Sequence, residues 1–268
     1  MLTYKPISSS INFKQISAYM DKLEILQSRH SVRDYNGKSL SEEDVKFLNS
    51  EITLINTHEA GLYFSLVTND GSPLNGLKNS YGFFKGVNNY IVAVIDDHFE
   101  HAEERAGFFG EQLVIQSTER GLSTCFIGGT FSSANVNVQL RAGRRVLFII
   151  AIGEGADKTS FMGRLVRNIS HRKQMSYQDF FVSLMTLEDA EKRCPGLTDG
   201  LKGVAVAPSA LNKRPVRITL DEENRPVAFV PDEKGYNPID LGIAKFNFGY
   251  MVDGIWEWGN HAPFLRDE

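Results

Sequence analysis

Residues 110–130 read GEQLVIQSTERGLSTCFIGGT, and the passage from helix to strand within them decides the fold. Leu113 completes an apolar stripe with Ala102, Ala106 and Phe109, so a helix running from about Glu100 to Arg120 keeps one face for a core. Gly121 stops it, as a residue free to adopt the left-handed conformation that closes helix ends. Cys125-Phe126-Ile127 then makes a short strand that runs into Gly128 and Gly129. Working outward, Tyr90 to Ile95 and Val146 to Ile152 are wholly apolar runs of strand length on either side of this helix. Leu62 to Val67 is a further strand, closed by the turn Asn69-Asp70-Gly71. Strands alternating with helices imply an α/β or α+β architecture in which helices cover a sheet.

Two helices are expected ahead of these strands. Phe13, Ile16, Met20, Leu23 and Leu26 recur at helical spacing over residues 13–28, and Ser39 with Glu42 forms a capping box for a helix carrying Val45, Leu48, Ile52 and Ile55. The first of them delivers Arg29-His30-Ser31-Val32-Arg33, which places two guanidiniums, an imidazole and a hydroxyl within five residues. Arginine offers a planar fork of donors that matches a phosphate monoester, and a serine hydroxyl adds a short neutral donor. A basic helix end complementing the helix dipole accounts for this pentapeptide equally well. The pair Gly128-Gly129 lets a backbone approach a flat ligand, although a tight turn is the commoner use of such a pair. Downstream, Ala207-Pro208-Ser209-Ala210-Leu211-Asn212-Lys213-Arg214-Pro215 is a proline-bounded rim before the strand-like Val216 to Leu220, and it too reads as a plain loop when taken alone.

Composition bounds the partners. The chain has 268 residues, 42% of them hydrophobic and 23% charged, enough for one large core or two lobes. A formal charge of −4 argues against nucleic acid or an anionic membrane as the main partner. No apolar run approaches the roughly 20 residues needed to span a bilayer, and the opening Met1-Leu2-Thr3-Tyr4-Lys5-Pro6 has no apolar signal core. A cytoplasmic protein is therefore expected. Cys125 and Cys194 form no CxxC pair, and Cys125 reads as an inert core thiol. No metal site is expected.

Together the three segments resemble the FMN-dependent nitroreductase family, whose members carry an Arg-Arg/His-Ser-x-Arg/Lys phosphate motif, a long helix ending in Gly-Leu-x-Thr-x-x-Ile-Gly, and an Ala-Pro-Ser-x-x-Asn-x-x-Pro element. Here the last of these stands after residue 205 instead of soon after the phosphate motif, where the chain reads Asn49-Ser50-Glu51-Ile52-Thr53-Leu54-Ile55-Asn56-Thr57. Family dimers build their site from both subunits, so the displacement resembles the tandem, single-chain branch, whose second half stands in for the second subunit. An echo along the chain agrees: Val216 to Leu220 with its turn repeats Leu62 to Val67, and Asp240 through Gly254-Ile255-Trp256 repeats the helix ending at Gly121 and its strand.

The resemblance implies an α+β fold of three layers, with an antiparallel-rich central sheet covered by helices and two pseudo-repeated halves, residues 1–186 and 187–268. It implies FMN as cofactor, with NADH or NADPH as co-substrate and an aromatic or quinone-like small molecule as electron acceptor. Arg29, His30, Ser31 and Arg33 would hold the phosphate, with Arg172 of His171-Arg172-Lys173 returning to it. Ile127, Gly128 and Gly129 would lie along the ring near its N5 atom. Pro208, Ser209, Ala210 and Asn212 would approach from the second half, and Lys85 is a candidate for the pyrimidine edge or simply a surface lysine. No side chain acts as nucleophile or base. A monomer that mimics the family homodimer is expected, and a flavin carrier or sensor without turnover is the alternative. Ala210, Leu211, Lys213-Arg214-Pro215 and Val216 depart from the usual residues at the ring rim.

Overall fold

The computed structural model describes residues 21–75, 83–156 and 175–266. Chain contacts divide it into two units, one of residues 29–173 and the other of residues 1–28 with 174–268.

In the unit of residues 29–173, helix α2 (Glu42–His58) precedes strands β1 (Leu62–Thr68) and β2 (Asn89–Asp96), helix α3 (Ala102–Glu119), and strands β3 (Ser123–Ile127) and β4 (Arg144–Gly153). The strands make an antiparallel sheet in the order β1-β2-β4-β3. Central position explains the uninterrupted apolar runs of β2 and β4: both faces of each are covered, so nothing selects for polar alternation. Strand β1, at the edge, alternates between buried and half-buried positions over most of its length.

Helix α3 ends as its sequence demands. Leu122 N–H donates to Ser117 C=O and Gly121 N–H to Thr118 C=O, each at 2.9 Å, the paired closure of a Schellman motif. Gly121 takes φ +78°, and a Cβ there would meet no atom within 4 Å, so conformation and not space requires the glycine. The start of α2 differs from expectation. Ser41, not Ser39, is the N-cap, its hydroxyl accepting from Asp44 N–H at 3.1 Å. Ser39 instead donates its hydroxyl to Asn69 Oδ1 at 2.5 Å. The sequence offers two overlapping boxes, and the cap falls where the backbone is extended next to Glu42.

The other unit contains α1 (Lys22–Ser28), α4 (Leu187–Arg193), α5 (Leu197–Val206), β5 (Arg217–Leu220), β6 (Pro226–Phe229), α6 (Asn237–Met251), β7 (Ile255–Trp256) and β8 (Ala262–Leu265). Its strands form an antiparallel sheet in the order β5-β6-β8-β7. The succession α2-β1-β2-α3-β3-β4 and the succession α5-β5-β6-α6-β7-β8 therefore share one connectivity and one strand order. Phe248, Trp256 and Phe264 fill the space between α6 and this sheet at centroid separations of 5.0 to 5.2 Å, with Phe248 edge-to-face with both other rings and Trp256 tilted against Phe264.

These boundaries differ from a division at residues 186 and 187. Helix α1 buries Ile25 and Leu26 against α5 and α6, with the Lys22 ammonium 3.8 Å from Asp253 and 5.8 Å from the centroid of the Tyr250 ring. The 3-10 turn Tyr177–Phe180 packs on α5, and Val182 N–H donates to Ile218 C=O at 2.8 Å. Packing on α5 and α6, and a backbone bond to β5, thus tie these stretches to the second unit.

Candidate functional site

The basic pentapeptide leads into an extended segment stitched to its unit along its length. Ser31 bridges Thr124 in parallel, and Val32 N–H donates to Thr124 C=O at 3.0 Å. Lys85 N–H donates to Arg33 C=O at 3.0 Å while Tyr35 N–H donates to Lys85 C=O at 2.9 Å. Asn36 and Glu154, and Ala156 and Asp34, add two more backbone links. Tyr35 is buried and gives its hydroxyl to Ala151 C=O at 3.2 Å; burial first, and Cys125 next, push its phenol well above the usual range. The segment is consequently a fixed edge of the sheet.

Its side chains gather at the head of β3. Arg33 Nη1 donates to Ser31 C=O at 3.3 Å. Cys125 is buried, and burial raises its thiol pKa, opposed by Arg33, then Arg29, then a hydrogen bond with the Ser31 side chain. The surroundings of that thiol bring Arg29, Ser31 and Arg33 together beside it. Arg29 is half-buried, and its Nε is shielded from solvent with no hydrogen-bond partner among the described residues. A buried donor without an acceptor costs about 1–3 kcal/mol, more for a charged group. An anion seated here would remove that cost. His30 and Ser31 are exposed beside it.

For Lys85, the candidate for the pyrimidine edge or a surface lysine, the structure sets the backbone between Arg33 and Tyr35 and leaves the side chain exposed. Strand β3 leads from Thr124 to the glycine pair. At about 3.3 Å per residue, Gly128 lies roughly 13 Å along it, with Ile127 buried and both glycines exposed. The following chain is anchored, since Ser132 N–H donates to Pro73 C=O at 3.0 Å and Asn137 N–H to Tyr90 Oη at 3.1 Å. Burial lifts the Tyr90 phenol to about 12, so it remains a neutral hydroxyl and donates to Asp70. Arg172 lies outside the described residues.

In the other unit, residues 207–216 form a tight rim ahead of β5. Leu211, Asn212 and Arg214 have φ of 52°, 52° and 50°, a left-handed conformation that costs a non-glycine residue about 1–2 kcal/mol. Hydrogen bonds hold the turn together: Arg214 N–H to Ser209 Oγ at 2.9 Å, Asn212 N–H to Ser209 C=O at 3.0 Å, and Arg214 Nε to Asn212 Oδ1 at 3.0 Å. Ala210 N–H donates to Asp240 Oδ1, 2.9 Å away in the first turn of α6. Leu211 projects outward, 74% exposed. Pro208, Ser209, Ala210 and Asn212 are all half-buried. Asp240 is the residue that the sequence reading missed as part of this rim. An acid in a helix's first turn is ordinary, and nothing local announces a partner 30 residues upstream.

Among the described residues, no group of three or more His, Cys, Asp or Glu is arranged to hold a metal ion, and no helix is long and apolar enough to cross a membrane.

The connectivity and strand order define the class: an α+β protein with two antiparallel sheets, with Arg29 and Arg33 beside the head of a strand in the first of them. A family model described as "Putative TM nitroreductase" matches residues 21–252, and the chain belongs to that nitroreductase family. A Thermotoga maritima structure described as a "putative nitroreductase" is similar along 97% of each chain, with TM-score 0.59 and 19% identity. A nitroreductase with bound FMN from Desulfitobacterium hafniense matches 53% of this chain and 92% of its own, with TM-score 0.42 and 15% identity. A nitroreductase family protein of Clostridium difficile 630 matches 62% and 99%, with TM-score 0.45 and 15% identity. No curated protein matches the chain.

Proposed function

We propose that this protein is an FMN-dependent oxidoreductase that uses NADH or NADPH to reduce an aromatic or quinone-like acceptor. The observation that carries the reading is the shielded, unpartnered Arg29 Nε among Ser31 and Arg33, a donor set suited to the dianionic FMN phosphate. When bound, FMN would supply two-electron redox chemistry, with NADH or NADPH as the hydride source. The protein binds and orients. Arg29, Ser31 and Arg33, with His30 beside them and Arg172 returning, fix the phosphate. Gly128 and Gly129, next to the buried Ile127, would offer the ring a strand end without side-chain bulk, and Lys85 would stand by the basic edge for its polar side. Pro208, Ser209, Ala210 and Asn212 are assigned to the ring's surroundings by the family pattern, in a tandem chain that works as a monomer in the cytoplasm.

Titrating FMN into flavin-free protein tests the binding. Charge-assisted hydrogen bonds contribute about 1.5–3 kcal/mol, so Arg29→Ala should weaken FMN binding by roughly 10- to 150-fold. Unchanged affinity in both Arg29→Ala and Arg172→Ala would sink the assignment. Anaerobic bleaching of the flavin by NADH or NADPH, followed by reoxidation with a quinone, separates an enzyme from a flavin carrier; a chain that binds FMN and does neither is the carrier.

A further inference from the structure

We propose that Asp240 is the positioning residue of the 209–214 rim: by accepting the Ala210 N–H it fixes the left-handed turn in the shape that meets a bound flavin. This rests on the flavin reading above. Three successive constraints converge on the turn. Leu211, Asn212 and Arg214 hold φ values near 50°, which persist only where surrounding bonds over-determine them. Two of those bonds come from Ser209, a neighbour inside the turn. The Asp240 bond ties the turn to α6, at 2.9 Å from a carboxylate 3% exposed.

The surroundings of Asp240 make the bond sensitive to charge. A narrow cleft lined by Phe180, Val204, Ser209, Arg214, Val216 and Asp240 separates the rim from its support. Phe180, Val204 and Val216 bring no charge from the 3-10 turn, α5 or β5, and Ala244 brings none from the next turn of α6. The cations facing the carboxylate are Lys213 and Arg214, both on the rim itself. Burial raises the Asp240 pKa to about 7, against the Ala210 bond and Lys213, which pull it down. A carboxylate accepts a hydrogen bond more strongly than its acid does, so the rim is held more firmly above neutrality than below.

FMN titrations of full-length wild type, Asp240→Ala and Asp240→Asn between pH 6 and 8 test this, with hydrogen exchange of the flavin-free proteins at one pH. Expected are a roughly tenfold weaker FMN affinity in Asp240→Ala, faster exchange confined to residues 208–214, and an affinity ratio of wild type to Asp240→Asn that grows with pH. The phosphate of FMN, which itself titrates near pH 6, cancels in that ratio. Should Asp240→Ala fail to fold, Asp240→Asn decides, because its amide keeps an acceptor toward Ala210 and loses the charge. A flat ratio, or wild-type affinity and exchange in Asp240→Ala, overturns the positioning role while the flavin reading stands. Wild-type protein that binds no FMN overturns both.

Discussion

Lys245 is completely buried, and its ammonium donates to the carbonyls of Glu257 and Gly259, both at 2.9 Å, 5.4 Å from the centroid of the Trp256 ring. A lysine buried in a helix pattern would ordinarily count against that pattern. Here it closes the turn that joins β7 to β8. Lys245→Met keeps the stem and strands both carbonyls, so a loss of about 2–4 kcal/mol is expected, read as a lower urea midpoint with an unchanged slope. Asp240 sets a pH dependence of opposite sense to the usual carboxylate. Its folded pKa of about 7 exceeds the value near 4 of an unfolded aspartate, so the folded chain keeps a proton that the unfolded chain has released. Its contribution is full below about pH 4 and is lost as pH rises to 7, by up to about 4 kcal/mol. Urea denaturation at pH 5 and pH 8 should therefore differ less in Asp240→Asn than in wild type. Equal differences would refute the buried-acid account.

At the scale of elements, helices α5 and α6 cross closely because α5 carries glycines where they touch. A Cβ on Gly203 would stand 2.4 Å from the backbone oxygen of Asn247, and one on Gly200 would meet the Phe248 ring. Backbone cannot step aside as a side chain can, so Gly203→Ala should cost about 1–3 kcal/mol. Gly121→Ala, at the open end of α3, should cost about 1–2 kcal/mol for its φ alone. Thermal unfolding of the two variants checks the magnitudes, and a neutral Gly203→Ala would mean that the crossing has slack. Much at this scale was readable from sequence. The α3 stripe, its Gly121 closure and the unbroken runs of β2 and β4 are local patterns, and local patterns survive folding when the core agrees with them. The N-cap at Ser41 was not, since Ser39 and Ser41 both satisfy the local rule and only the entry path of the chain chooses between them.

For the molecule as a whole, the shared connectivity of the two sheets contrasts with an unshared cradle. Residues 189–197 supply no second one: Glu191 already accepts Gly196 N–H at 2.6 Å and Thr198 N–H at 2.7 Å, filling the start of α5. Lys192 is paired with Glu188 and Asp189 on the helix surface. One FMN per chain is the expected stoichiometry, measured as flavin absorbance against protein concentration with light scattering on the same sample. A value near two, or a dimer whose dissociation releases flavin, would contradict the single-site tandem reading.

By itself the sequence determined the helices before β1 and before β3, the central strands, the basic character of residues 29–33 and the family resemblance, because spacing, caps and side-chain chemistry are written within a few residues of one another. Tertiary structure alone decided which sheet α1 joins, that Lys85 lies between Arg33 and Tyr35, and that Asp240 reaches back to Ala210. Those outcomes depend on which apolar faces find each other across long stretches of chain, and on the burial that follows, neither of which any local pattern specifies.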